Sequence, residues 1–135
     1  MKDYGDPKDE YLEVGQNMRQ FGNVRFSQMT LFFALTAGLL ASLFQNQTLS
    51  EFAKLSLKIG GTIFTVLFWI MDVRAMVYWN HFRERGIELE KTLGFKQYTK
   101  SPATKKYFSA TNAIRLLYWV ILVYWVITIV FYREF

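Results

Sequence analysis

The chain has 135 residues and a net charge of +5, with 52% hydrophobic and 19% aromatic side chains, one histidine and no cysteine. That composition excludes a disulfide framework, a thiolate nucleophile and a Cys-based metal centre, and the lone His81 cannot supply bis-His haem ligation. The mean hydropathy of +0.09 conceals a strong segregation of charge from apolar sequence.

In chain order, Tyr11, Val14, Met18 and Phe21 recur at helical spacing. They predict an amphipathic helix over 9–25, capped by Asp6 or Asp9, with a helix lying on the membrane surface as the alternative to one packed in a bundle. Three apolar runs follow at 26–44, 57–79 and 116–132. Within them, 29–44, 59–71 and 116–132 contain no Asp, Glu, Lys or Arg, whereas a water-soluble helix keeps a charged face. A hydrocarbon core about 30 Å thick needs roughly 20 apolar helical residues, so each run reads as a membrane span. The polar first 25 residues show no cleavable signal, and the first span is expected to act as its own insertion signal.

The second helix has no proline and should continue past the span to about 93, because HFRERGIELEKTL places Phe82, Gly86, Leu89 and Leu93 on one face. Gly94 is the expected stop. KQYTKSP reads as a loop in which Ser101 caps and Pro102 opens a third helix over 102–132, containing span three at 116–132. The predicted fold is therefore a single all-α integral membrane domain: three transmembrane helices whose cytoplasmic extensions form a small bundle.

Orientation follows from charge. Residues 72–115 hold nine basic and four acidic groups, while 1–28 hold four basic and five acidic and 45–58 hold two and one. Lysine and arginine near span ends are retained in the cytoplasm, which predicts a cytoplasmic N-terminus, a cytoplasmic second connection and an external C-terminus. The same rule accounts for the basic stretch without invoking nucleic acid; membrane lipids are the expected contacts.

Helix association in lipid depends on close packing and polar contacts. Ala34, Gly38 and Ser42, with Ala37 and Ala41 beside them, and Ser56, Gly60 and Gly61 are the candidate packing positions. An aromatic stripe recurs every seven residues at Tyr118, Trp125 and Tyr132. Asp72 and Arg74 interrupt the cytoplasmic end of span two; Arg115 enters span three from the same side. An intramembrane pair between Asp72 and Arg115 is expected, with Arg74 reaching toward headgroups. Glu84, Glu88 and Glu90 read as a helix surface. No phosphate-binding loop, nucleophile elbow or metal-ligand spacing is present, so neither catalytic residues, enzyme activity nor cofactor is expected.

The segments EYLEVGQNMRQFGNVRFSQMTLFFALTAGLL and WIMDVRAMVYWNHFRERGIELEKTLGF, followed by an aromatic span, resemble small bacterial multi-span membrane proteins. In layout they are loosely similar to SLATT-type transmembrane effectors of prokaryotic conflict systems. That likeness implies a pore-like or membrane-perturbing effector of the bacterial inner membrane, although the third span departs from the two-span SLATT core. Two functional classes follow: a homo-oligomeric pore or membrane-disrupting assembly, and an accessory subunit of a larger membrane complex.

Overall fold

The computed structural model describes residues 5–45, 48–100 and 109–131, and among them all regular structure is helical. Helix α1 spans Pro7–Gln45, α2 spans Glu51–Leu93 and α3 spans Ala110–Val130. All three are long and apolar enough to cross a membrane. At 1.5 Å per residue, the 39 residues of α1 and 43 of α2 reach about 58 and 64 Å, roughly twice the hydrocarbon thickness. The 21 residues of α3, about 32 Å, match it once.

The boundaries have local causes. Asp6 opens α1: its Oδ1 accepts the Lys8 N–H at 3.0 Å, its carbonyl accepts from Asp9 and Glu10, and Pro7 takes the first helical position, where an N–H would have no intrahelical partner. Nothing breaks the chain near 26, so the amphipathic stretch and span one form one continuous helix. Ser50 caps α2 by accepting the Ala53 N–H at 3.2 Å. Gly94 ends it with φ +75, a left-handed conformation that side chains disfavour, and donates to the Glu90 carbonyl at 2.8 Å. Ser109, in extended conformation, accepts from the Thr111 N–H and caps α3, which begins at Ala110; the expected helix start at 102 lies outside the described residues. Ser101, Pro102 and Tyr132 lie outside the described residues.

The packed face of α2 keeps a seven-residue rhythm. Lys58, Gly61, Thr65, Phe68, Asp72, Ala75, Gly86 and Leu89 are buried, and half-buried Trp79 and Phe82 fill the two missing places, giving alternating steps of three and four residues. Such a repeat is the seam of a coiled-coil-like contact.

Two compact units divide the chain, and both long helices contribute to each. The first combines Met1–Ser27 with Asp72–Thr104. Its core is Tyr11, Val14, Met18 and Leu89, flanked by Trp79, Phe82, Leu93 and Tyr98. Phe21 stacks on Tyr78 at 5.4 Å and on Phe82 at 5.7 Å. The second unit combines Gln28–Met71 with Lys105–Phe135. There Phe32, Phe68 and Tyr118 form the core, with Trp69, Ile114 and Ile121 against it.

Candidate functional site: polar groups on the packed faces

In the first unit, Arg25 on α1 grips Asp72 on α2. Its Nε donates to Oδ1 at 2.6 Å and its Nη2 to Oδ2 at 3.3 Å, while Nη1 lies 2.9 Å from the Met76 sulfur. Asp72 is 2% exposed, so the pair is withdrawn from solvent and engages both carboxylate oxygens. The expected pairing of Asp72 with Arg115 is thereby corrected. Arg25 occupies the stripe position two heptads beyond Tyr11 and reaches the carboxylate from the facing helix, whereas Arg115 is exposed on α3.

Glu90 is likewise not part of a helix surface; it is 2% exposed. Its carboxylate accepts the backbone N–H groups of Tyr98 and Thr99, at 2.6 and 2.9 Å, the Thr99 hydroxyl, and the Tyr11 hydroxyl at 3.0 Å. Burial alone pushes its pKa up, but these four donors outweigh it, the Thr99 hydroxyl most, and hold Glu90 at about 2. Burial, with the neighbouring Glu90 charge, raises the Tyr11 phenol to about 12. The turn after α2 is thus folded back by one carboxylate. The Tyr98 ring fills a slot left by Gly86, where an added Cβ would fall 2.7 Å from the ring's Cδ2. Nearby, Arg85 joins Glu10 and Glu88 in an exposed network, at 2.7 and 2.9 Å.

In the second unit, Lys58 is 5% exposed and its ammonium donates to the Thr128 carbonyl at 2.9 Å. That carbonyl belongs to the last turn of α3, where unpaired C=O groups and the helix dipole favour a cation. Gly61 meets Trp125 directly: a Cβ there would lie 2.6 Å from the indole Cζ2. Thr65 donates back to the Gly61 carbonyl at 2.8 Å and so presents a methyl rather than a hydroxyl to its surroundings. Tyr118 and Trp125 are fully buried, and among the described residues the Trp125 Nε1 has no acceptor.

The remaining small residues are placed differently. Ala34, Ala37, Gly38 and Ala41 are exposed, on the side of α1 opposite buried Phe32 and half-buried Thr36, Leu39 and Leu43. Added Cβ atoms at Gly38 and Gly60 would meet nothing within 4 Å. Ser42 and Ser56 return their hydroxyls to the Gly38 and Phe52 carbonyls at 2.9 Å. Of the three glycines among the candidate packing positions, Gly61 alone has a neighbour among the described residues within 4 Å of an added Cβ.

His81 is exposed and contacts the edge of Phe82 at 5.7 Å. Among the described residues no three His, Asp or Glu side chains gather where a metal could sit. Glu90 stays ionised and fully engaged by donors, the reverse of a poised general acid.

Arg25, Lys58 and Glu90 escaped the sequence reading. The first two lie on the heptad stripes of α1 and α2, a register that would have marked them as inward-facing despite their charge. Compared with known proteins, the chain matches no family model, no curated protein and no solved structure.

Proposed function

We propose that this chain is a non-enzymatic integral membrane protein that works as an assembly of copies, a pore-like or membrane-perturbing effector of a bacterial inner membrane. One observation carries the reading. Along span one of α1, 26–44, Phe32 is the one buried residue, and the side opposite it carries Ala34, Ala37, Gly38 and Ala41, all exposed. Glycine in a helix interior costs about 1 kcal/mol relative to alanine. Lipid tails impose no requirement for small side chains, whereas a second helix at close range does. Among the described residues, none comes within 4 Å of where a Cβ on Gly38 would stand.

The second unit's core is closed by Phe32, Phe68 and Tyr118, with Trp125 seated on Gly61. Any conducting path in this reading therefore forms between copies, not through one. Basic residues concentrated at 72–115 support a cytoplasmic N-terminus and an external C-terminus, with the first unit on the cytoplasmic side as a small helical bundle. The similarity in layout to SLATT-type effectors points the same way. The test is size and leakage together: one homogeneous homo-oligomer in mild detergent and dye release from liposomes would support the effector reading. Purification only with unrelated membrane subunits, and intact liposomes, would instead favour an accessory subunit.

A further inference from the structure

We propose that the face of α2 formed by Arg74, Val77, Tyr78 and His81 docks the phosphate of an anionic phospholipid. Among the described residues, these four side chains border one open surface depression of about 510 Å³. They recur at three- and four-residue spacing, so donors and apolar walls share one side of the helix. Arg74 provides a guanidinium fork suited to phosphate, His81 a ring N–H and Tyr78 a hydroxyl. Val77 and the Tyr78 ring, the latter stacked on Phe21 at 5.4 Å, supply the apolar wall that an acyl chain needs.

Charge complementarity selects the occupant. Among the described residues Arg74 makes no ion pair, and the nearest carboxylate in sequence, Asp72, is engaged by Arg25. Glu84, one turn beyond His81, does not line the groove. Position selects it too, and here the inference rests on the membrane reading. Arg74 lies within the cytoplasmic end of the apolar run 57–79 and His81 about 3 Å past it along the axis, so both side chains reach the headgroup layer. A zwitterionic headgroup carries its own ammonium beside the phosphate, whereas phosphatidylglycerol leaves the phosphate charge for the protein.

The experiment reconstitutes the full chain in phosphatidylcholine bilayers and measures the motionally restricted fraction of spin-labelled phosphatidylglycerol against spin-labelled phosphatidylcholine. The expected result is a preference for phosphatidylglycerol that Arg74→Gln lowers roughly twofold to fivefold, from about 1 kcal/mol per surface cation. His81→Phe should lower it further in the double variant, while Lys91→Gln, the same charge loss as Arg74→Gln about 15 Å deeper into the extension than His81, should leave it unchanged. Arg74 and His81 are exposed, so helicity and melting should match the parent. A preference unchanged in the double variant, or reduced equally by Lys91→Gln, overturns the proposal. Loss of the preference in millimolar inorganic phosphate overturns it in favour of a soluble anion. Failure of the membrane reading looks different: the chain would be released from membranes by alkaline carbonate and would not reconstitute.

Discussion

Arg25 closes on Asp72 through two nitrogens, at 2.6 and 3.3 Å, across 47 residues of sequence. Removing one partner strands a buried charge, which typically costs about 3–5 kcal/mol, whereas replacing both by apolar residues of similar size is often near neutral. Asp72→Asn and Arg25→Leu should therefore each lower the melting temperature in detergent more than the double variant Arg25→Leu/Asp72→Leu does. Arg115→Leu, at an exposed position, should have little effect. Additive losses in the double variant would show that the two side chains stabilise the fold independently.

Gly61 and Gly38 are a closely packed and an open position of the same chain. Gly61→Ala drives a methyl into the Trp125 ring, and overpacking of this kind costs about 1–3 kcal/mol. Gly38→Ala meets open space and should leave the protomer's stability unchanged or slightly raised. Thermal melts of dilute, monomeric protein in detergent compare the two directly; equal destabilisation would remove the Gly61 contact from this description.

Glu90 gives the first unit an acid limit. Its folded pKa of about 2 lies below the ordinary 4.5, so its contribution is fully present above about 4.5 and is lost as pH falls toward 2. The stability difference between wild type and Glu90→Gln should shrink across that window and be constant above it. Tyr11→Phe removes one of four donors and should cost about 0.5–1.5 kcal/mol. Hydrogen exchange at the Tyr98 and Thr99 amides should rise in Glu90→Gln, and unchanged protection there would mean that the turn is held by other contacts.

The long apolar runs, the Gly94 stop and the Tyr11, Val14, Met18 stripe were legible because hydropathy and helical period coincide there. The α2 face was not. Between 58 and 72 the buried side is Lys58, Gly61, Thr65, Phe68 and Asp72, mostly polar or small, so hydropathy there does not mark it and its heptad spacing does. Asp72 suggested Arg115 because the two lie at one depth on consecutive antiparallel helices; Arg25 lies at the end of the apolar run of the preceding helix, so depth alone did not choose between the two arginines. Glu90 looked like one more acid in a charged helix end, since nothing local reveals a turn folding back to donate N–H groups to it.

The most direct test of assembly through α1 uses the absence of cysteine from the chain. Single cysteines placed in turn at each position from 30 to 44 can be oxidised in native membranes and the disulfide-linked dimer fraction measured. The expected result is a helical profile with maxima at Ala34, Ala37 or Gly38, and Ala41, minima at Phe32, Thr36 and Leu39, and loss of the maxima in a Gly38→Leu background. A flat profile, or maxima centred on Phe33 and Phe44, would contradict association through the small-residue face.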